Sequence, residues 1–221
     1  MVSCCGIVLL IGLSAWSGFA DEPPMKLGDL REGDLLFEQS TSSQAAIIQQ
    51  ATHCKWTHVA IALRCNPGEP ISAIESAGPV GFVSIKGLLA RSKDGRLIVK
   101  RLRDQEHTLT PKNIEALRAV LLKQQGKPYD ALFLWDDDSM YCSELVWKAF
   151  KSACDIELGK IGQWSELDLH SPSVMAAIKE RYARRDQTLD MDKLMHNKII
   201  TPASIYNCPL LEDVGVLKAS R

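Results

Sequence analysis

The sequence lacks an excess of charge of either sign, since 26 Lys and Arg residues stand against 27 Asp and Glu residues. A formal net charge of -1 gives no electrostatic basis for binding nucleic acid or an anionic membrane surface. After residue 20 the chain has no apolar run of the about 18 residues that a membrane span needs. It also has no Gly-rich phosphate loop and no Gly-x-Ser-x-Gly nucleophile elbow. What remains is a chain of 221 residues, 46% of them hydrophobic, which suffices for the core of one domain.

The first twenty residues carry no charged side chain. A short apolar run from Gly6 to Trp16 is followed by small residues at Gly18 and Ala20, which fit a signal-peptidase site. We therefore expect residues 1–20 to be a signal peptide and residues 21–221 to be one domain, periplasmic or secreted, without a stable membrane span. Because no Lys or Arg precedes the apolar run, an uncleaved anchor is the alternative.

Cysteine usage is compatible with an oxidising compartment but predicts no disulfide framework. Removal of residues 1–20 leaves five cysteines, and an odd number requires at least one free thiol or an intermolecular bond. Cys54 and Cys65 flank a predicted strand that spans roughly 23 Å, whereas bridged Cα atoms lie within about 7 Å. We do not expect this pair to form a disulfide.

Apolar runs between turn residues predict the strands, and capped apolar stripes predict the helices. The predicted strands are Gly33–Phe37, a hairpin formed by Thr57–Leu63 and Ile71–Ser76, and Leu97–Leu102 with a polar edge. The predicted helices are a short one capped by Ser42 and Ser43, one from Thr110-Pro111 to Gly126, and one beginning near Cys142. The fold class is therefore α+β.

The segment from Cys154 to Lys198 is more polar than the rest of the chain. It contains a predicted helix after Ser171-Pro172, and we interpret it as an insertion or a lid. From Thr201-Pro202 onward the sequence predicts an irregular C-terminal tail.

Cys142 is the first candidate for chemistry. It follows the capping residues of Asp136–Ser139 and precedes a helical apolar stripe, which places its thiol in the first helical turn. Unpaired N–H groups and the positive end of the helix dipole favour a thiolate there. The alternative is a buried structural cysteine, since free Cys is among the most buried residue types.

A nucleophilic thiol needs a base and a group that orients the base. His58 begins the first strand of the predicted hairpin, and Glu75 ends the second. A turn centred between Asn66 and Pro67 would make these two residues direct cross-strand neighbours on one face. A carboxylate at Glu75 could then hold one imidazole nitrogen and leave the other free, as in a catalytic triad. The alternative for His58 is a histidine hydrogen-bonded to backbone at a strand end.

The predicted His58 face continues through small residues at Ala60, Ala62 and Ala73. We expect the Cys142 helix to pack closely against this small-residue face, because that approach would bring the sulfur to the imidazole. Tyr129 and Tyr141 are candidate donors to an oxyanion, together with the backbone N–H of Cys142.

Metal binding is the weaker interpretation of the remaining polar residues. The spacing of His53, Cys54, His58 and Cys65 matches no usual structural zinc site. The aspartates at 136–138 lack the glycine and the distal glutamate of an EF-hand, so helix capping is favoured over calcium. We predict neither a metal nor another cofactor.

Five segments of the chain together resemble the YiiX/YebB-like family of permuted papain-like amidases, a branch of the NlpC/P60 superfamily. They lie between about Gly33 and Phe150, and Thr201-Pro202 looks like the family's C-terminal element. The most specific segment is Tyr-Cys-Ser-Glu-Leu-Val at 141–146, and a histidine before the cysteine marks the permutation. The other four are Gly33–Phe37, Thr57–Ile61, Ile74–Ala77 and Gly126–Asp130.

The resemblance implies a nucleophile at Cys142, a general base at His58 and a third polar residue at Glu75. It also implies a small antiparallel sheet packed by the nucleophile's helix. We expect a cysteine hydrolase that cleaves an amide bond through a thioester, with a peptide or acyl substrate from the cell wall. The alternatives are a lipid acyl hydrolase or acyltransferase using the same dyad, and an inactive binding module. A broad apolar groove lined by Trp56, Trp135 and the tail would favour the lipid alternative.

Overall fold

The structure is a computed structural model that describes residues 23–219, so the predicted signal peptide lies outside the described residues. A six-stranded antiparallel sheet forms its centre, with strand order β4-β3-β2-β1-β5-β8. The strands are β1 (Leu35–Glu38), β2 (His58–Leu63), β3 (Ser72–Glu75), β4 (Gly81–Val83), β5 (Arg96–Leu102) and β8 (Leu211–Lys218). A separate two-stranded sheet pairs β6 (Gly162–Gln163) with β7 (Lys198–Ile199).

Eight α-helices surround these sheets within the described residues: α1 (Ala45–Thr52), α2 (Ile85–Arg91), α3 (Gln105–Thr108), α4 (Pro111–Gln124), α5 (Cys142–Cys154), α6 (Pro172–Ala183), α7 (Met191–His196) and α8 (Pro202–Tyr206). The fold is thus α+β, as the sequence predicts. Helix α4 begins as expected, because Thr110 caps it by accepting the N–H of Asn113 at 3.3 Å. Helix α1 starts after Gln44 without a side-chain cap, so the predicted serine capping is wrong.

The two faces of the sheet pack against different helices. Alternate residues of β2 divide between them, because side chains of a strand point to opposite faces in turn. Val59 and Ile61 belong to the large core that includes Leu145 and other residues of α5. Ala60 and Ala62 belong to a smaller cluster with residues of α2, Leu88 among them. The expectation that the small-residue face receives the Cys142 helix is therefore wrong, since α2 packs there and α5 covers the opposite face.

The β2–β3 hairpin forms as predicted, but its register differs from the expected one. Ile61 pairs with Ile74, which centres the hairpin between Pro67 and Gly68 rather than one position earlier. Gly68 has φ +86°, a left-handed conformation that glycine adopts without strain. If the register continues, Glu75 faces Ala60 and is the diagonal neighbour of His58 rather than its direct partner. A shift of two positions keeps both side chains on the same face.

Helix α5 begins at Cys142, as the sequence predicts, but the aspartates do not cap it. Tyr141 is the N-cap residue, and its N–H donates to the carboxylate of Glu144 at 3.4 Å. Asp136 instead closes its own turn, accepting N–H groups of Asp138 at 3.0 Å and Ser139 at 3.2 Å.

The segment from 154 to 198 joins the main core rather than standing apart from it. Leu158, Trp164, Ile178 and Leu194 are all buried in the core that contains α5. The helix expected after Ser171-Pro172 is α6. The irregular tail expected after residue 201 is wrong: α8 and the eight-residue strand β8 form there, and β8 pairs with β5. Strand β5 therefore lies between two partners instead of at an edge.

The first described residues run alongside β8. The N–H of Met25 donates to the carbonyl of Val216 at 2.9 Å, and the N–H of Val216 donates to the carbonyl of Pro23 at 3.0 Å. Gly215 permits this approach, because a Cβ atom there would lie 2.6 Å from the carbonyl oxygen of Pro23. The two ends of the described chain are thus hydrogen-bonded to each other.

The five cysteines within residues 23–219 are all free thiols. Cys54 and Cys65 are unpaired, as expected from the length of the strand between them. No helix of the described residues is long and apolar enough to cross a membrane.

Candidate active site

Three buried polar side chains meet at one end of the central sheet. Glu38 is the last residue of β1, His58 is the first of β2, and Glu75 is the last of β3. Glu38 and His58 are direct partners in the β1–β2 register, so their side chains share a face, and Glu75 lies on the same face. Because the three strands end together, this row lies at one end of the sheet.

The imidazole of His58 is held by Glu75, and Glu75 is held by an arginine. Nε2 of His58 lies 2.6 Å from Oε2 of Glu75. Nη1 of Arg91 donates to Oε1 of Glu75 at 2.6 Å, and Nη2 of Arg91 donates to Oε2. Nε of Arg91 reaches Oε1 of Glu38 at 3.3 Å. This two-pronged contact fixes the carboxylate in one orientation.

Cys142 reaches the same histidine from the opposite face of the sheet. Its thiol lies close enough to the His58 side chain and to the backbone N–H groups of Val59 and Ser143 for all three groups to lower its pKa. Since Nε2 of His58 is engaged by Glu75, Nδ1 is the nitrogen left for the sulfur. The N–H of Ser143 is one of the unpaired donors of the first turn of α5, as the helix-start argument predicts.

The charges of this cluster favour an ion pair between sulfur and imidazole. Burial alone would lower the pKa of His58, but the Cys142 thiolate and the Glu75 carboxylate outweigh it and raise that pKa to about 10. Burial alone would raise the pKa of Cys142, but His58 and the two N–H donors lower it. Burial would also raise the pKa of Glu75, and the hydrogen bonds from His58 and Arg91 lower it to about 2.

The two tyrosines proposed as oxyanion donors occupy different positions. Tyr141 is buried, and its hydroxyl accepts the N–H of Ile200 at 3.1 Å, which ties the chain near residue 200 to the start of α5. Ser143 strengthens this tie by donating to the carbonyl of Ile200 at 2.9 Å. Tyr129 borders a cavity beside His58, and burial followed by the charge of Cys142 raises the pKa of its hydroxyl. The geometry gives Tyr141 a structural bond and leaves Tyr129 facing the site.

A cavity opens on the sulfur side of the dyad, and we call it the thiol-side cavity. It encloses about 540 Å³ counting its open mouth. Apart from Arg181 and the Cys142 thiolate its walls are uncharged and largely apolar, and they come mainly from α1, the start of α5, α6 and the residues after β7. Its lining includes Phe133, Cys142, Trp164, Ile178, Arg181 and Ile200.

A second cavity opens on the imidazole side, and we call it the imidazole-side cavity. It encloses about 630 Å³ counting its open mouth, and its walls are mainly polar. Ile48 and Thr57 line both cavities, so the two adjoin at the dyad. The lining of the imidazole-side cavity includes Glu38, Ser40, Thr57, His58, Arg91 and Tyr129.

Trp56 and Trp135, which a broad apolar groove would use, line neither cavity. The ring of Trp56 packs 5.3 Å from that of Tyr206, and the ring of Trp135 packs 5.6 Å from that of Trp147. The apolar lining is supplied by the 154–198 segment and the chain near residue 200 instead. Among residues 23–219, no group of three or more His, Cys, Asp and Glu side chains is arranged to hold a metal ion.

Sequence reasoning missed Arg91 and Glu38. Arg91 ends α2, a helix of seven residues interrupted by Gly87, which gives little periodic signal. The start of α2 could have been predicted from the sequence, because Ser84 is an N-cap serine whose side chain accepts the N–H of Gly87 at 3.0 Å. Glu38 directly follows the predicted strand at 33–37, and a charged residue at a strand end usually faces solvent. An arginine or a glutamate in a sequence does not by itself indicate contact with a histidine.

Comparison with known proteins identifies a family and relatives of this chain. Residues 29–215 match the family described as permuted papain-like amidase enzyme, YaeF/YiiX, C92 family. The chain is 32% identical over 183 residues to the protein YiiX of Escherichia coli strain K12, covering 83% of this chain and 85% of that protein. It is also similar to a crystal structure described as metalloprotein yiiX from Escherichia coli O157:H7, with TM-score 0.74 and 30% identity. That match covers 86% of this chain and 98% of the other.

Proposed function

Because this chain belongs to the YaeF/YiiX (C92) family of permuted papain-like amidases, a family of cysteine hydrolases, we propose that it cleaves an amide bond through a thioester on Cys142. The observation that carries the proposal is the row of Cys142, His58 and Glu75, in which Glu75 holds the imidazole at 2.6 Å, the imidazole lowers the pKa of the thiol, and the thiol stands at a helix start.

The first half of the proposed reaction forms the thioester. The Cys142 thiolate attacks the carbonyl carbon of the amide, so that a C–S bond forms and the oxygen becomes an oxyanion. The backbone N–H of Cys142 and the hydroxyl of Tyr129 are the candidate donors to that oxyanion. The imidazolium of His58 gives its proton to the amine nitrogen as the C–N bond breaks, and the amine leaves.

The second half of the proposed reaction returns the enzyme to its starting state. Neutral His58 takes a proton from water, and the resulting hydroxide attacks the thioester carbonyl. The C–S bond breaks, the acid leaves, and the thiolate and imidazolium are restored. Glu75, fixed by Arg91, keeps the ring orientation and stabilises the positive imidazolium in both halves.

We propose an amide of a cell-wall peptide as the substrate. The sequence of residues 1–20 supports export, which would bring the enzyme to the wall, and both cavities reach the dyad from solvent. A second candidate is an acyl ester or thioester of a lipid, and the apolar lining of the thiol-side cavity favours it. Purified enzyme offered wall peptides and acyl esters of increasing chain length side by side separates the two. Amine release only from the peptides supports the first candidate, and turnover that rises with acyl chain length supports the second.

The dyad itself is tested by alkylation with iodoacetamide across pH, followed by mass spectrometry. Cys142 should react at pH values well below the ordinary cysteine pKa of 9.0, because His58 and the N–H donors lower its pKa. His58→Ala should slow the reaction at pH 7 by more than about tenfold, because burial then acts on the thiol without the imidazolium. As pH rises through about 10, the wild type should lose the imidazolium and hence its hydrolytic activity.

Cys208 provides a matched internal control. It is exposed to the same extent as Cys142, 5% of its surface, and lies away from His58. Slow alkylation of Cys208 in both proteins would show that burial alone does not explain the reactivity of Cys142. Equal alkylation of Cys142 in the wild type and in His58→Ala would refute the proposed pairing.

A further inference from the structure

Arg181 is a partly buried cation in the thiol-side cavity. It lies on α6, within the segment that the sequence marks as an insertion. Its guanidinium lies 4.9 Å from the centre of the Phe133 ring, and Nη2 donates to Oε1 of Gln44 at 3.1 Å. Among residues 23–219, no carboxylate lies within ion-pair distance of this guanidinium. Its neighbour Arg184 differs, because it forms an ion pair with Glu180 on the surface.

A guanidinium in a largely apolar cavity without a carboxylate is unfavourable, because burial removes water without replacing it with an opposite charge. Burial accordingly lowers the pKa of Arg181, yet arginine stays charged in proteins. Arg181 and Cys142 both line the thiol-side cavity, so the cation and the reacting sulfur face the same space. An anionic ligand in this cavity would supply the missing charge.

The proposed reaction determines which part of a substrate would meet Arg181. After attack the acyl portion is bonded to the sulfur, and Cys142 lines the thiol-side cavity. The leaving amine takes its proton from His58, which lines the imidazole-side cavity. The acyl portion therefore occupies the cavity that holds Arg181, and the amine portion occupies the polar one.

We propose that Arg181 binds a carboxylate on the acyl portion of the substrate and so determines which amides are cleaved. This inference rests on the proposed function, because the placement of the acyl portion follows from the thioester. One guanidinium balances one negative charge, which a carboxylate carries, whereas a phosphate monoester carries up to about two. The planar fork of the guanidinium also matches a carboxylate with two parallel hydrogen bonds. The apolar walls beside Phe133 and Ile178 suit an aliphatic body between the carboxylate and the scissile bond.

The test uses pairs of thiol reagents that differ only in charge. N-bromoacetyl-leucine carries a carboxylate and N-bromoacetyl-leucinamide carries a carboxamide in its place. A longer pair, N-bromoacetyl-6-aminohexanoate and its amide, allows for a deeper carboxylate. The measured quantity is the ratio of Cys142 alkylation rates, acid over amide, for each pair. In Arg181→Gln this ratio should fall by about tenfold for at least one pair, the effect of one lost charge-assisted hydrogen bond.

Two further variants keep the test decisive. Lys179→Gln removes the same charge from an exposed position of the same helix and should keep the wild-type ratio. Arg181→Lys keeps the charge without the fork and should give an intermediate ratio. The amide reagents report in every variant whether the site is folded. A ratio that is the same in Arg181→Gln and the wild type for both pairs would overturn the inference. Failure of the proposed function would look different: amide reagents would alkylate Cys142 in His58→Ala as fast as in the wild type.

Discussion

Glu75, on the α2 face of the central sheet, and Glu144, in the first turn of α5, are both buried beside a cation, and the pKa values of the two glutamates shift in opposite directions. On the α2 face, the hydrogen bonds of His58 and Arg91 overcome burial and lower the pKa of Glu75 to about 2. In α5, burial dominates and raises the pKa of Glu144 to about 7, although Lys148 lies 2.8 Å from its carboxylate. The difference follows from the groups around each carboxylate. His58 and Arg91 both lower the pKa of Glu75, whereas only Lys148 and the N–H of Tyr141 lower that of Glu144.

The two carboxylates therefore have different roles: Glu75 stays charged, whereas Glu144 is a helix cap. A charged Glu75 can stabilise an imidazolium throughout the proposed reaction. Glu144 is near its midpoint at neutral pH, and its contact with the N–H of Tyr141 works as a helix cap. Burial next to a cation is thus not enough to identify a functional carboxylate. The hydrogen-bond donors around the carboxylate determine whether it stays charged.

The largest expected effect is an opposite pH dependence of stability for the two glutamates. The unfolded-state pKa of both is near 4.5. Glu75 stabilises the fold above that value and loses this contribution as pH falls through about 2, so the wild-type advantage over Glu75→Gln should narrow in acid. Glu144 costs stability as pH rises from 4.5 to about 7, so Glu144→Gln should gain on the wild type there. Each change amounts to at most about 3 kcal/mol.

Urea unfolding of the three proteins at intervals from pH 3 to pH 8 measures both effects. The quantity compared is the free energy of unfolding of each variant minus that of the wild type. Parallel curves for the two variants would show that the two glutamates do not differ in the way their donors indicate.

The next effect concerns the cations. Arg91→Met should lower kcat/KM by about a hundredfold, because Glu75 and the imidazole lose the group that fixes their orientation. Arg91→Lys should recover little of this, since an ammonium cannot hold both carboxylate oxygens in the same way. Lys148→Met is the matching change beside Glu144. It should leave kcat/KM within about threefold of the wild type, which is less than the tenfold change that corresponds to about 1.4 kcal/mol.

Steady-state kinetics across pH distinguish orientation from simple loss of structure. In Arg91→Met the alkaline limb of the activity profile should also move to higher pH, because the variant loses a positive charge 3.4 Å from Nε2 of His58. An unchanged profile with unchanged activity would mean that Glu75 holds the ring without Arg91.

The smallest effect concerns the tie between α5 and the chain near residue 200. Tyr141→Phe leaves the buried N–H of Ile200 without its acceptor and should lower the free energy of unfolding by about 1–2 kcal/mol. Its kcat should change little, because Ser143 still holds the carbonyl of Ile200. A fall in kcat of about a hundredfold with unchanged stability would instead assign the hydroxyl to the oxyanion.

Much of the site was predictable because its parts carry local signals. A thiol at the head of an apolar stripe predicts a helix start, and α5 does begin at Cys142. A histidine and a glutamate at opposite ends of a hairpin predict contact, and they are 2.6 Å apart. The register was wrong by two positions because the breaker residues between 66 and 70 do not reveal which of them form the turn. The contact survived this error because the period of a strand is two.

The rest of the site depends on tertiary packing that a single sequence does not record. Which helix covers which face of β2 is decided by the whole core, so the small residues at Ala60 and Ala62 were assigned to the wrong helix. Arg91 can hold the carboxylate of Glu75 only because α2 ends beside it. Strand β8 was missed because acidic residues and Gly215 interrupt its apolar pattern, while its pairing with β5 supplies the stability.

Hydrogen bonds join the first described residues, Pro23 and Met25, to Val216 near the end of the described chain. Because the two ends of the described chain already touch, a short connection between them would close the backbone with little entropic penalty. The chain could then be opened at a surface turn without changing which residues meet at the dyad. A domain with this property can exchange the sequence positions of its nucleophile and its base and keep the same chemistry.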